Sequence, residues 1–330
     1  MSHQDQRLVR PNFSTGWKCS HAMTVKDVLR RAQALRGGAL ERQLVWMLGS
    51  PRSGSTWLMN LLQEPPRVAT LQEPLIGMHL GMFASAIGEM TQEALPAGVR
   101  LRDLRNDDRY FFSDGHLRSW GSPLRRLILS GLAPHVPLRA RYLVVQEPNG
   151  SEGADLLLRV LPSTRVLFLL RDGRDVVDSM LDAYQRGSWL DQAFGVGQDL
   201  LGRERLKTIE REAQKWVART EIVSLAYDHH PPEQRLMVRY EELLSDTATT
   251  LQSIYSWLDL DPPEELLERV QASSFDAVPA SAKGSGRFHR AATPGLWCQN
   301  LSEEEQDCCT KIMGPTLAKM GYEAVAQLSR

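Results

Sequence analysis

The sequence has few cysteines, no long apolar run and almost no net charge. Its four cysteines in 330 residues show no C-x-x-C spacing, which argues against a zinc site or a disulfide framework and predicts free thiols in the cytoplasm. No apolar run approaches about 18 residues, so no membrane span is expected. A net charge of −1 gives no reason to expect nucleic acid as the main partner.

Apolar runs that predict strands alternate with segments of helical periodicity. The predicted strands are residues 44–48, 67–72, 142–146, 165–170 and 235–239. The main predicted helices are residues 57–62, 152–161, 176–184, 200–228, 240–258 and 301–320. A glycine-containing loop is expected at 187–198. The alternation predicts a single α/β domain over residues 44–330, with a central, mainly parallel sheet flanked by helices, like a P-loop nucleotide fold. Residues 1–43 are expected to form an N-terminal arm and helix.

Residues 44–63, LVWMLGSPRSGSTWLMNLLQ, place a buried strand, a glycine-containing loop and a helix in succession. This layout is typical of a phosphate-binding site. The loop aims several backbone N–H groups at one point, and the helix N-terminus adds partial positive charge there. Gly49 and Gly54 allow backbone conformations and close approaches that a side chain would block. Their spacing is close to the nucleotide-binding pattern G-x-x-x-x-G-K-[ST].

Four side chains separate this loop from an ordinary glycine turn. Ser55 occupies the position of the nucleotide-binding lysine, and Thr56 follows it. A cation stands earlier in the loop, at Arg52, next to Ser53. The alternative is a turn without a ligand, but four anion-binding groups rarely crowd a plain turn, so the loop indicates an anion site.

The loop sequence PRSGSTW resembles the 5′-phosphosulfate loop of sulfotransferases that use 3′-phosphoadenosine 5′-phosphosulfate (PAPS). The resemblance implies that PAPS is the co-substrate. It also implies that the phosphosulfate group is held by Arg52, Ser53, Gly54, Ser55 and Thr56. Trp57 matches the tryptophan that stacks on adenine in this family, and the alternative for Trp57 is a core side chain on the first helix.

A second candidate anchor lies about 120 residues further along the chain. Arg171 ends a predicted strand, and Ser179 lies eight residues later, in the next predicted helix. A guanidinium fork and a hydroxyl at one sheet edge suit a phosphate, although Arg171 could instead pair with Asp172 or Asp175. The segment LLRDGRDVVDSML resembles the 3′-phosphate motif of the same sulfotransferases. It therefore implies that Arg171 and Ser179 bind the 3′-phosphate that distinguishes PAPS from ATP.

Two shorter segments add to the resemblance. VRYEELL resembles the family's RYEDLL segment, whose tyrosine contacts adenine, and that tyrosine is Tyr240 here. RAATPGLW resembles the late loop R-K-G-x-x-G-x-W, which implies a further 3′-phosphate contact from Arg290. Ala291 and Ala292 replace the lysine and glycine of that loop, so this contact depends on Arg290 alone.

Glu73 and Glu147 each follow a predicted strand and are the candidate general bases of an in-line sulfuryl transfer. Glu73, in QEPL, resembles the catalytic glutamate that several carbohydrate-type and bacterial members carry soon after the phosphosulfate loop. Glu147, in VVQEPNG, sits near the position of the catalytic histidine of cytosolic members. Each could instead be a strand-end carboxylate bound to N–H groups or to an arginine. Arg52 is the third predicted catalytic residue, because it can stabilise charge on the leaving oxygen. No metal is required.

The segment between the second and third strands is the candidate acceptor pocket, formed by helical insertions, and a packed helical lid is the alternative. The family acts on acceptors that include small molecules, carbohydrates and lipids, and the sequence does not choose among them. Two other functions stay open. The first is an ATP-dependent small-molecule kinase on the same fold, against which Ser55 argues. The second is a catalytically inactive nucleotide-binding module, against which Arg52, Arg171 and Ser179 argue.

Overall fold

The computed structural model describes most of the chain after its N-terminal segment. The described residues are 38–64, 66–79, 108–109 and 113–322. The predicted N-terminal arm and most of the predicted acceptor-pocket insertion lie outside these residues.

Five parallel strands form one sheet. They are β1 Leu44–Gly49, β2 Val68–Gln72, β3 Tyr142–Gln146, β4 Arg165–Leu170 and β5 Arg235–Arg239. The sheet order is β2–β3–β1–β4–β5, and every neighbouring pair is parallel. All five predicted strands are confirmed. Because β3 and β4 lie on opposite sides of β1, the winding direction reverses beside β1 and leaves a crevice at its carboxyl end.

Helices connect the strands and cover both faces of the sheet. They are α1 Ala39–Gln43, α2 Ser55–Leu62, α3 Ile76–His79, α4 Leu117–Leu132, α5 Ala154–Val160, α6 Gly173–Ala183, α7 Trp189–Phe194, α8 Gly202–His229, α9 Tyr240–Ser245, α10 Thr247–Trp257, α11 Leu266–Ala272, α12 Trp297–Asn300 and α13 Glu303–Lys319. A 3₁₀ helix, Pro148–Gly153, follows β3 after the single residue Glu147. Within the described part of the chain, no helix combines the length and apolar character needed to cross a bilayer.

The central strand β1 is buried along its whole length and separates two hydrophobic cores. Trp46 and Leu48 belong to the core on the side of α4, α5, α8 and α13. Val45 and Met47 belong to the core on the side of α2, α9 and α10. An apolar run without polar alternation is typical of a parallel strand covered on both faces, which explains why the sequence predicts this strand so directly.

Two predicted boundaries were wrong. The predicted helix 240–258 is two helices, α9 and α10. It breaks at Asp246, whose carboxylate caps α10 by accepting the Thr249 N–H at 3.0 Å. The predicted loop 187–198 contains α7, which Ser188 caps through its side-chain oxygen. In both cases a side-chain cap sets the helix start, and apolar periodicity does not reveal such a cap.

Candidate active site

The loop between β1 and α2 turns in very little space. Gly54 has a φ of 86° and precedes the first residue of α2, and Arg52 has a φ of 65°. A Cβ on Gly54 would lie 2.7 Å from the Tyr240 ring. A Cβ on Gly49 would lie 2.2 Å from the Leu169 carbonyl oxygen. Both glycines are therefore required, and the loop is fixed between β4 and α9.

The hydroxyls of the loop have different roles. Ser53 is buried and its Oγ donates to the Ser50 carbonyl at 2.5 Å, so Ser53 closes the turn behind the pocket wall. Ser55 and Thr56 line the pocket at the N-terminus of α2. Gln146 Nε2 donates to the Ser55 Oγ at 2.8 Å and to the Thr56 Oγ1 at 3.2 Å. Each of these two hydroxyls accepts from Gln146 and keeps its own hydrogen for a ligand.

The structure brings the two predicted phosphate anchors into contact. Arg52 Nε lies 3.0 Å from Ser179 Oγ, and Arg171 Nη1 donates to the Arg52 carbonyl at 2.7 Å. Arg171 directly follows β4, and Ser179 lies on α6, as the spacing of the two residues predicts. The two anchors therefore form one continuous wall at the carboxyl edge of the sheet.

Neither Asp172 nor Asp175 forms an ion pair with Arg171 among the described residues, although the Arg171 charge partly offsets the burial that raises the pKa of Asp175. Asp172 forms an ion pair with Arg174 at 2.7 Å, and Asp175 accepts a backbone N–H of the loop before α12 at 2.7 Å. The Arg171 guanidinium lies 4.5 Å from the centre of the Tyr240 ring. Its Nε has no hydrogen-bond partner among the described residues. An arginine held in this way can still donate to an anion.

Arg290 lines the same pocket but is bound to a carboxylate. Its Nη1 donates to the Asp178 carbonyl at 2.9 Å, and its Nη2 pairs with the Asp178 carboxylate. Asn300 donates to that carboxylate as well, at 3.0 Å. Because Asp178 offsets much of its charge, Arg290 can contribute less to anion binding than Arg171.

The Arg52 guanidinium lies in a cationic environment. Withdrawal from water and the nearby charges of Arg171 and Arg290 lower the pKa of Arg52 to about 10. Its Nη2 donates to the Phe288 carbonyl at 2.9 Å, and the guanidinium lies 5.4 Å from the centre of the Trp189 ring. Like charges this close raise the energy of the protein, and a bound anion would lower it.

Trp57 and Tyr240 form an aromatic corner of the pocket. Their ring centres are 6.4 Å apart, with an angle of 72° between the planes. Trp57 Nε1 donates to the Ser273 carbonyl at 2.9 Å, which fixes the indole. Trp57 packs against the core with part of its surface and lines the pocket with the rest, so it combines the two alternatives that the sequence allows.

The two candidate bases differ in access to the pocket. Glu73 lines the pocket, its Oε2 accepts from Asn149 Nδ2 at 3.0 Å, and burial raises its pKa. Glu147 is fully buried behind the wall, and its Oε2 accepts the Ile76 N–H at 3.2 Å. Burial, with a smaller effect of the Glu73 charge, raises the pKa of Glu147 to about 7. Within the described residues, neither carboxylate forms an ion pair with an arginine.

One pocket of about 880 Å³ joins these groups. The predicted residues that line it are Arg52, Gly54, Ser55, Thr56, Trp57, Glu73, Arg171, Ser179, Tyr240 and Arg290. Sequence reasoning missed Gln146 and Asn149, although both flank Glu147 at the end of a predicted strand. It also missed Trp189, the first residue of α7, and Phe288, in the segment between α11 and α12, because no motif marks either of them.

A parallel sheet with a phosphate-binding type of loop at its crevice defines the class of this molecule, an α/β protein with a P-loop-like nucleotide fold. The Sulfotransferase family matches residues 45–265, about two thirds of the chain. The chain therefore belongs to the sulfotransferase family. No curated protein matches the chain in sequence.

Solved structures extend the comparison. Sulfotransferase STF9 from Mycobacterium avium is 17% identical with a TM-score of 0.51, over 90% of this chain and 81% of that one. Mouse sulfotransferase SULT7A1 complexed with PAP is 13% identical with a TM-score of 0.48, over 88% and 94%. Retinol dehydratase in complex with androsterone and PAP is 16% identical with a TM-score of 0.49, over 91% and 88%. Among these three only the likeness to STF9 exceeds a TM-score of 0.5, and it shows that the fold is shared.

Proposed function

We propose that this protein transfers the sulfuryl group of PAPS to a hydroxyl or amine of a small-molecule, carbohydrate or lipid acceptor. The observation that carries the proposal is the contact between the two anion anchors, Arg52 with its loop and Arg171 with Ser179, at one wall of one pocket. A nucleotide with phosphates on both its 5′ and 3′ positions needs two such anchors. An ATP site needs only the first.

Different groups of residues bind the 5′ end, the 3′-phosphate and the adenine of the nucleotide. Ser55, Thr56 and the N-terminus of α2 hold the 5′ end, where the helix dipole favours negative charge. Arg171 and Ser179 hold the 3′-phosphate, with Arg290 as a weaker contributor. Trp57 and Tyr240 flank the adenine. The unpartnered Nε of Arg171 fits this assignment, because a buried donor is stabilised by an acceptor.

When bound, PAPS supplies the sulfuryl group, which is attached to the 5′-phosphate, and that phosphate is the leaving group. Arg52 stabilises the negative charge that develops on the leaving oxygen. Glu73 accepts the proton of the acceptor, since its carboxylate lines the pocket and Asn149 orients it. Glu147 lies behind Glu73 and accepts the Ile76 N–H at the start of α3, three residues after Glu73. A transfer without metal and a cytoplasmic location stay predictions.

The proposal is tested by thermal unfolding with adenosine 3′,5′-bisphosphate, ADP and ATP. A ligand at 100 times its dissociation constant stabilises the folded protein by about 2.7 kcal/mol. We expect the bisphosphate to stabilise more than ADP at equal concentration, and Arg171→Ala to remove that preference. Equal stabilisation by ADP or ATP, with magnesium-dependent ATP turnover, would support the kinase instead. Binding of the bisphosphate without transfer to any acceptor would support the inactive module.

A further inference from the structure

Gln146 lies between the phosphate-binding loop after β1 and the candidate base Glu73 after β2. It is the last residue of β3 and pairs in register with Met47 of β1 and Gln72 of β2. Its backbone carbonyl accepts the Glu73 N–H at 2.9 Å. Its side chain is fully buried and does not line the pocket. Gln146 therefore touches the loop and the base from behind, with no room to contact a ligand itself.

The side-chain amide of Gln146 sets the direction of the pocket hydroxyls. Nε2 donates to the Ser55 Oγ at 2.8 Å and to the Thr56 Oγ1 at 3.2 Å. A hydroxyl has one hydrogen and two lone pairs, so an oxygen that accepts from Gln146 must direct its hydrogen elsewhere. Gln146 occupies the side of each hydroxyl that faces the protein interior, so the hydroxyl hydrogens cannot point there. The free direction leads into the pocket that both hydroxyls line.

Packing alone does not account for a glutamine at this position. The Gln146 Oε1 has no hydrogen-bond partner among the described residues, and burying such an oxygen costs free energy. An unbranched apolar side chain such as methionine would fill the same volume between two hydrophobic cores without that cost. What a glutamine adds at this position, at the cost of the unpartnered Oε1, is the pair of hydrogen bonds from Nε2 to the Ser55 and Thr56 hydroxyls.

We propose that Gln146 is a positioning residue that orients the Ser55 and Thr56 hydroxyls as donors to the 5′-phosphate end of the nucleotide. The inference deepens the proposed function and rests on it. It assigns to Gln146 a share of the affinity for the 5′-phosphate and none of the affinity for the 3′-phosphate, which Arg171 and Ser179 bind at the other anchor.

The test compares adenosine 3′,5′-bisphosphate with adenosine 3′-monophosphate by titration calorimetry. The ratio of their dissociation constants measures the contribution of the 5′-phosphate. We expect Gln146→Met to lower this ratio about tenfold, because charged hydrogen bonds contribute roughly that much, and to leave the monophosphate affinity within about twofold. Gln43→Met is the matched control, since Gln43 Nε2 donates to the Ala140 carbonyl away from the pocket.

A double-mutant cycle shows whether Gln146 acts through the two hydroxyls. In a Ser55→Ala, Thr56→Val background, Gln146→Met should change the ratio by less than about twofold, because the groups that it orients are gone. If Gln146→Met does not fold, Gln146→Leu replaces it. Leucine also lacks a donor to the two hydroxyls and should lower the ratio in the same way.

The outcomes separate the two proposals. If the wild-type protein binds the bisphosphate more tightly than the monophosphate, and Gln146→Met weakens both ligands equally, the role of Gln146 is overturned and the proposed function stands. The same holds if the full effect persists in the background without hydroxyls. If the wild-type protein binds neither nucleotide, the proposed function fails, and the inference fails with it.

Discussion

Glu73 combines a strained backbone with a carboxylate that faces the pocket. Its φ of 41° is uncommon for a residue other than glycine and costs on the order of 1 kcal/mol or more. Its Oε2 accepts from Asn149, which aims the carboxylate. We expect Glu73→Gln to slow sulfuryl transfer about 10²- to 10⁴-fold with unchanged bisphosphate affinity, measured by steady-state kinetics and calorimetry. If Glu147→Gln abolishes transfer and Glu73→Gln does not, the two roles are reversed.

The pH dependence of transfer follows from the environment of Glu73. Burial raises the pKa of Glu73, and the hydrogen bond from Asn149 lowers it in part. A base must be ionised, so kcat/KM should rise as pH increases through this pKa. Asn149→Ala removes the hydrogen bond to the ionised form, and the acid limb of the profile should move to higher pH. An unshifted acid limb in Asn149→Ala, with a lower rate at all pH values, would contradict this role for Asn149.

The proton on the buried Glu147 carboxyl makes the free energy of unfolding depend on pH. Its pKa is about 7 in the folded protein and near 4.5 when exposed, so between these values only the folded state holds the proton. The stability that depends on this proton is complete below about pH 4.5 and is lost as pH rises to about 7. Urea denaturation should find Glu147→Gln more stabilising at pH 8 than at pH 5, by up to about 3 kcal/mol. The exposed Glu304→Gln is the control, and an equal effect of Glu147→Gln at both pH values would contradict the assignment.

At the scale of elements, the start of α2 depends on one glycine. Gly54 has a positive φ, and a Cβ there meets the Tyr240 ring, whereas Gly187 has a φ of 78° with nothing within 4 Å of its Cβ position. Gly187→Ala should cost about 1–2 kcal/mol for the left-handed conformation alone. Gly54→Ala adds a clash of about 1–3 kcal/mol, so it should destabilise more in urea denaturation. Equal costs would show that Tyr240 moves freely.

Strands were easier to predict from the sequence than helix boundaries. β1, and β4 after its first residue Arg165, are apolar runs buried on both faces, so composition alone marks them. The helices after β5 were predicted as one helix because Leu243, Leu251 and Ile254 keep the apolar periodicity across the break. The break depends on a hydrogen bond of Asp246, a local contact that periodicity does not carry.

The residues of the site also differ in how far the sequence predicts them. Arg171 and Ser179 follow from spacing, because a strand end and the second turn of the next helix face the same edge of a parallel sheet. Gln146 and Asn149 do not follow from spacing. Their contacts require β3 to lie between β1 and β2 in the sheet. The apolar periodicity of a single strand does not predict the order of strands.

At the scale of the molecule, α6 binds the segment from Arg290 to Trp297 and holds it at the site. Asp175 accepts backbone N–H groups of Gly295 and Trp297, and Asp178 binds Arg290. These contacts hold the loop before α12 against the same helix that carries Ser179. The pocket wall is therefore assembled from the loop after β1, from α6 and from the late loop, so a ligand at this wall should stabilise the whole domain.

The cationic wall also predicts a specific response to simple anions. Arg52 and Arg171 lie close together with their charges not offset by an ion pair among the described residues. Burial first, and then the nearby charge of Arg171, lower the pKa of Arg52 to about 10. Millimolar sulfate should raise the unfolding temperature more than chloride at equal ionic strength, and at ten times its dissociation constant it should add about 1.4 kcal/mol. Arg171→Ala should remove this response, which separates site binding from the general salting effect of sulfate. Arg186→Ala is the matched control, because Arg186 is exposed, pairs with Asp199 and lies outside the pocket. A sulfate response that survives Arg171→Ala would show that the anion binds elsewhere.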